Sequence, residues 1–284
     1  MSSAARSSNP EIASGPVAIC VDRPLLALDR PFTYELPAGF GAGVGSLVQV
    51  PFHGKAIRGW VLGTTDDIPA RMLPVRKVVS PVRFFDTSLL SVLRWVSERY
   101  VAPLASVISR AVPPRVAGEE VAGVRGGAVA SLAMPSPTPL RHGPPAILGR
   151  YTNGSEMIAA VHEGQGNFVV RPAPGEDVAV AVETVGAALS AGRSAIVLVP
   201  EVDPLPATAI ALQRAFGDSV AMFLGGGKRS RYRMWLDIGA GRYRVVIGTR
   251  PAVFAPVAEL GLMYVARESH TQHREERSPY YHVR

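Results

Sequence analysis

Arg171-Pro172-Ala173-Pro174-Gly175-Glu176-Asp177-Val178 is the stretch on which the fold class of this 284-residue chain turns. It is a loop marked by proline and glycine, and apolar periodicity sets in directly after it, predicting a helix over 178–189 that stops at Gly192. Ala195 to Val199 is then an unbroken apolar run, the pattern of a parallel strand covered on both faces. The alternation continues. Helices are predicted over 207–216 and 229–240, and strands over 220–224, 244–248 and 262–266. Strand and helix in this order imply a parallel sheet with right-handed crossovers, the RecA-like or P-loop class.

A phosphate loop written G-x-x-x-x-G-K-[ST] needs glycines so that backbone N–H groups can close around phosphates, a lysine for their charge and a hydroxyl for magnesium. Here Gly175 is followed by Glu176 in place of the second glycine, and Asp177 and Val178 occupy the Lys and Ser/Thr slots. Two acids repel a triphosphate. The lobe is therefore expected to lack ATP turnover.

Working outward, residues 16–116 follow a different period. Val17, Ile19 and Val21 alternate up to Pro24, Pro31 to Pro37 brackets a second strand, and glycines 39, 41, 43 and 45 precede a third over 46–52. The His53-Gly54 connection leads to a strand over 57–63, and another is predicted over 76–82. With turn signals about every ten residues, this predicts a small barrel or curled antiparallel sheet. Leu89, Leu90, Leu93, Val96 and Tyr100 then repeat at helical spacing behind the start signal Asp86-Thr87-Ser88, with Pro103 as the expected end. A shorter helix is predicted over 104–110. Residues 117–150 are rich in Gly, Ala, Ser and Pro without sustained period, and read as a linker or a degraded small domain. The expected organisation is a disordered polar tail (1–15), a β-rich domain (16–116), this segment (117–150) and an α/β domain (151–284).

Composition allows two buried cores, since 47% of residues are hydrophobic and 19% charged. No apolar run reaches the roughly 20 residues of a spanning helix, and the polar stretch Met1 to Gly15 lacks the core of a signal peptide. The expected place is the cytoplasm, associated with the nucleoid, without a membrane partner. Cys20 is the single cysteine, without a disulfide or zinc partner, and reads as a small core residue. The formal charge of +7 falls as +5 on residues 1–116 and +1 each on 117–150 and 151–284, which points the first domain toward a polyanion.

Several strings carry a family resemblance: Arg30-Pro31-Phe32-Thr33-Tyr34-Glu35-Leu36-Pro37, Val48-Gln49-Val50-Pro51-Phe52, Gly59-Trp60-Val61-Leu62-Gly63, Val197-Leu198-Val199-Pro200-Glu201, and Val246 through Pro256. In order and spacing they resemble the PriA family of primosomal replication-restart proteins, in a divergent form without helicase motifs. The resemblance implies a 3′-end DNA-binding domain at 16–116, a winged-helix remnant in 117–150 and a first helicase lobe at 151–284. Where helicase-active members carry Asp-Glu-Glu-His, this chain has Ala266-Arg267-Glu268-Ser269, so the magnesium ligand and the base are both absent. The family's zinc cysteines would lie beyond Arg284, so the chain reads as a truncated frame with no metal or cofactor of its own. His270 and His273 are expected to be solvent-exposed.

By resemblance, DNA meets Phe32, Thr33, Tyr34, Phe52, the His53-Gly54 turn, Arg76 and Lys77 in the first domain, and Lys228, Arg229, Thr249 and Arg250 in the second. The residue types fit: an aromatic face stacks a terminal base, a glycine turn admits the sugar, and a cation meets phosphate. Family members commonly carry Asp where Thr33 stands, which puts recognition of the 3′-hydroxyl in question. Core packing competes for Phe32 and Tyr34, only one of which is expected to face inward. A solvated helix face competes for Lys228, Arg229, Arg231 and Arg233. The implied function is a non-ATPase scaffold that binds branched and single-stranded DNA at replication forks and recruits primosome and restart proteins. Its rivals are an active 3′–5′ helicase and a protein-interaction module without a nucleic-acid role.

Overall fold

The structure, a computed structural model, describes residues 11–120 and 147–284. They fall into two units, one running to Val112 and including Glu276–Tyr281, the other running from Pro113 to Glu275 and including His282–Arg284. Most of the expected tail and most of the expected linker or winged-helix remnant, residues 1–10 and 121–146, lie outside the described residues.

In the first unit, period-two alternation produces β1 (Gly15–Val21), β2 (Phe32–Leu36), β3 (Ser46–Phe52), β4 (Lys55–Thr64), β5 (Leu73–Pro74) and β6 (Lys77–Arg83). The sheet order is β5-β2-β1-β4-β3-β6. Val17, Ile19, Val21, Tyr34, Leu36, Val48, Val50 and Val61 line its concave core. Gly59 is required there, since a Cβ on it would lie 2.6 Å from the Ile19 Cγ2 methyl. The sheet curls because the stretch joining β5 to β6 bridges its two edges: Val75 N–H donates to Glu35 O and Arg76 N–H to Gln49 O, both at 2.8 Å.

The expected antiparallel sheet is in fact mixed, because β5 runs parallel to β2, pairing Leu73 with Tyr34 and Pro74 with Glu35. A stretch crossing from one sheet edge to the other takes the direction of its crossing, and Pro74, with no N–H, keeps the pairing to two residues. The opposite face buries the cross-strand row Cys20, Trp60 and Leu47, and α2 (Leu104–Ala111) contacts β1. α1 (Thr87–Arg99) buries Leu90, Leu93 and Val96 and is capped by Asp86, whose Oδ1 accepts from Leu89 N–H at 2.8 Å. It ends at Tyr100 and the left-handed Val101 (φ 47°), before the expected stop at Pro103.

The second unit contains α3 (Gly154–Glu163), α4 (Asp177–Ser190), β7 (Ser194–Leu198), α5 (Ala207–Phe216), β8 (Val220–Phe223), α6 (Lys228–Gly239), β9 (Val245–Gly248) and β10 (Leu260–Val265). The four strands form one parallel sheet in the order β10-β7-β9-β8. β7 and β9 are buried along their whole length, as their continuous apolar runs require.

Three features differ from the sequence reading. The loop at 171–176 is reached from α3, with no strand between them, so it is not a strand-to-helix junction of this sheet. α3 itself was not anticipated. The two ends of the supposed linker are packed parts of this unit: residues 117–120 are helical with Glu119 and Glu120 buried, and Leu148 joins Met157 and Val180 in a core. Ile147 and Leu148 N–H donate to the Glu183 carboxylate at 3.1 and 2.6 Å. The anchors lie far along the chain, where composition gives no hint of them. No helix among the described residues is long and apolar enough to cross a membrane.

Candidate nucleic-acid interface

The hairpin joining β3 to β4 fixes the first group of candidate residues. Phe52 pairs with Lys55 across a two-residue turn, and His53 (φ 45°) and Gly54 (φ 75°) both take the left-handed conformation such a turn demands. The Phe52 ring is thereby held edge-to-face against Phe32 at 5.2 Å and against His53 at 4.4 Å. Arg30 completes the group, its guanidinium 5.1 Å from the centre of the Phe32 ring. Phe32 and Phe52 are half-buried at the margin of the core, and His53, Gly54 and Lys55 are exposed. The result is a rim of aromatic edges with cations beside it.

The other four candidates of this unit are placed less simply. Phe32 and Tyr34 are two residues apart on a strand, so they share a face, and the expectation that only one turns inward fails on the period-two rule itself. Tyr34 is 5% exposed and donates its hydroxyl to Pro51 O at 2.9 Å, which leaves no ring face for a base. Burial raises its phenol above the ordinary value. Thr33, paired with Ala18, projects from the opposite face and is not brought to the Phe32 rim. Arg76 and Lys77 are exposed, and neither is ion-paired among the described residues. Arg76 bonds to Gln49, three residues along β3 from Phe52, or about 10 Å at the usual strand rise.

In the second unit the candidates Arg250 and Arg229 are engaged within the fold. Arg250 begins a 3-10 turn after β9, and its Nη1 donates to Gln272 O at 2.9 Å and to Arg274 O at 3.0 Å, with Glu275 3.7 Å from Nε. It staples a distant segment of the same unit. Its neighbour Thr249 is half-buried as the residue preceding that turn. Arg229 and Arg233, one helical turn apart on α6, bring their Nε atoms to 2.6 and 2.8 Å from the two oxygens of Glu119. Arg231 lies over Phe223 at 5.7 Å, and Lys228 is exposed. Beside them, Glu120 accepts from Tyr232 OH at 2.6 Å and, in a bidentate pair, from Arg115 at 2.8 and 2.6 Å. Burial, and then the bond to Glu120, raise the Tyr232 phenol.

The loop at 171–178 is likewise bonded within the unit. Glu176 accepts from Arg150 at 2.5 Å and from the Tyr151 hydroxyl at 2.7 Å, while the same hydroxyl oxygen accepts from Ala173 N–H at 2.7 Å. A backbone N–H that could face a phosphate is thus already bonded. Gly175 (φ 83°) makes the turn, Asp177 opens α4, and Val178 follows on it half-buried. The structure does bring this loop to the end of β10: burial, then the charge of Asp177, push the Tyr264 phenol up to about 12. Two residues beyond Tyr264, Ala266 O accepts from His273, Arg267 pairs with Glu201 at 3.2 Å, and Glu268 pairs with Arg284 at 2.6 Å.

His273 is fully buried, correcting its expected exposure, because its Nε2–H donates to Ala266 O at 2.8 Å inside the turn at 271–273. Among the described residues no three His, Cys, Asp or Glu side chains cluster as metal ligands. The sequence reading missed Arg30, Arg150, Tyr151 and Glu119. Arg30 was the accessible one, two residues from Phe32 on the same side of the chain.

Residues 18–113 match the family model described as a 3′ DNA-binding domain. Over 268 residues the chain is 34% identical to a protein of Mycobacterium leprae named probable replication restart protein PriA, covering 90% of this chain and 40% of that one. It is 28% identical over 270 residues to the replication restart protein PriA of Treponema pallidum, covering 90% and 39%. The Bacillus subtilis PriA matches over 104 residues at 32% identity, or 36% of this chain. The chain spans about two-fifths of the length of the curated relatives that it matches along most of its own length.

Proposed function

Because the chain belongs with the PriA family of replication restart proteins, we propose that it is a DNA-binding restart factor that acts without an ATP-driven motor. The carrying observation is the edge-to-face pair Phe32–Phe52, flanked by Arg30 and the His53-Gly54 turn, inside the stretch matched by the 3′ DNA-binding domain. In this reading a terminal base stacks on a ring of this rim, and the glycine turn lets a sugar approach. Arg30, Lys55, Arg76 and Lys77 supply cations for the adjoining phosphates. The substrate class is branched DNA with an accessible 3′ end and its single-stranded arms. Primosome and other restart proteins are the partners such a fork-bound platform recruits. With Tyr34 buried and Thr33 on the opposite face, stacking and charge carry the recognition.

The second unit is a RecA-like lobe in this reading, supported by its parallel order β10-β7-β9-β8. Two chemical features support a silent motor. Glu176 presents a carboxylate to Arg150 and Tyr151 where a nucleotide would need a cation of the loop, and Ala266-Arg267 offers no acid to hold magnesium. The test is binding to forked DNA with a recessed 3′ end and to blunt duplex over a salt series, alongside ATP hydrolysis with and without DNA. Preferential, salt-sensitive binding to the recessed end without hydrolysis is expected. A flat salt response would indicate a protein-interaction module, and DNA-stimulated hydrolysis a working helicase.

A further inference from the structure

The first six residues of α6, Lys228 to Arg233, carry four cations and no acid. The helix field at an N-terminus disfavours cations, so the placement breaks a local rule that residues chosen for helix stability alone would keep. The turn is open as well: Gly227 makes no side-chain cap, and a Cβ on Gly225 or Gly227 would meet nothing within 4 Å. Against the four cations stands Glu119. It is 5% exposed, whereas the Arg229 and Arg233 side chains are 76% and 63% exposed. Each guanidinium meets it through Nε, and Glu119 Oε2 accepts no aligned hydrogen bond. Glu120, held by Arg115 and Tyr232, fixes the helical turn 117–120 that carries Glu119. A carboxylate seated between two guanidinium groups has the charge and the oxygen acceptors of a phosphodiester.

We propose that Arg229 and Arg233 form a latent nucleic-acid backbone site whose occupant in the DNA-free chain is Glu119. Residues 117–120 are then an internal competitor, and phosphates of a single strand bind α6 only as Glu119 releases the two guanidinium groups. The inference rests on the DNA-binding reading above.

The test uses the full chain, a labelled thymidine oligonucleotide and a salt series. Glu119→Gln is expected to bind severalfold more tightly at fixed salt. Its log affinity should also fall more steeply with log salt, by up to about 1.4 for two new single-strand contacts. Arg229→Gln with Arg233→Gln should be nearly silent while Glu119 is present and should erase the gain in the Glu119→Gln background, a non-additivity that simple loss of structure does not produce. A folded Glu119→Gln protein that binds no better than the parent overturns the proposal. If that variant does not fold, Glu119→Asp, which keeps the charge and withdraws it by one methylene, should show a smaller gain, and no gain overturns it equally. Failure of every form, the parent included, to bind the oligonucleotide would instead overturn the DNA-binding reading.

Discussion

The cations singled out for DNA contact are placed differently in the two units. In the first, Arg76, Lys77 and Lys55 stand exposed around an aromatic rim, and little of the fold depends on them. In the second, Arg115, Arg229, Arg250, Arg267, Glu176 and Glu268 each turn onto a partner inside the same unit. Motif strings of similar quality therefore mean different things: in one unit they mark a free surface, and in the other the internal bonds of a lobe. The contrast is testable as a separation of effects. Arg115→Ala and Arg250→Ala in the second unit should change stability and spare binding, and Arg76→Ala in the first should do the reverse.

Arg115→Ala is the severest test. It removes the bidentate partner of the Glu120 carboxylate, which is 3% exposed, at a cost of about 3 kcal/mol, the lower end for a broken buried pair because Arg115 is itself partly exposed. Urea unfolding measures this, and unchanged fork affinity at native concentrations would complete the separation. Phe52→Ala comes next, with a loss of about 2 kcal/mol in affinity for a recessed 3′ end if a base stacks on the rim. Its half-buried ring makes some loss of stability unavoidable, so affinity is read well below the melting temperature. A loss of stability alone would reduce Phe52 to packing.

Arg250→Ala is expected to destabilise the second unit by about 1.5 kcal/mol, since two charge-assisted bonds to the carbonyls of Gln272 and Arg274 disappear. Fork binding should not change, and a matching loss of affinity would return Arg250 to the DNA surface. Arg76→Ala should leave stability alone and lower affinity by about 1 kcal/mol, an exposed charge contact. The loss should be larger on a recessed 3′ end than on blunt duplex, and an equal loss on both would detach Arg76 from the rim.

What could be read in advance follows the range of the interaction responsible. β3 and α5 were bounded correctly because alternation over Leu47, Val48 and Val50 and the apolar helical spacing of 207–216 are local patterns. α3 escaped notice because it starts at a left-handed Asn153 with no side-chain cap and spans only ten residues. The Phe32–Phe52 pair was legible as residue types, and its geometry follows from a hairpin whose turn residues announced it. Glu119 was not legible: its partners lie more than a hundred residues away in a stretch whose composition resembled a linker. Charge pairing across such distances leaves no period in a sequence. Helical spacing set Arg229 and Arg233 on one face, and only the fold supplied the carboxylate between them.

The smallest expected effect concerns an interior ionisable group, where the first unit again differs from the second. Cys20 lies in the buried row with Trp60 and Leu47, near the charges of Asp29 and Asp22, whereas Glu120 in the second unit is matched by Arg115. Burial, with smaller contributions from Asp29 and Asp22, pushes the thiol from its ordinary 9.0 up to about 12. The folded chain thus keeps a proton that the unfolded chain releases. Its contribution is complete below pH 9 and declines as pH rises from 9 toward 12, by about 1 kcal/mol at pH 10. Cys20→Ala loses a sulfur from the core at every pH, so the comparison is between slopes. Stability should fall less between pH 8 and pH 10 in the variant than in the parent, by that amount. Equal falls would mean that the thiol ionises freely when folded, and that the sheet face beneath α2 is open to water rather than a second buried layer.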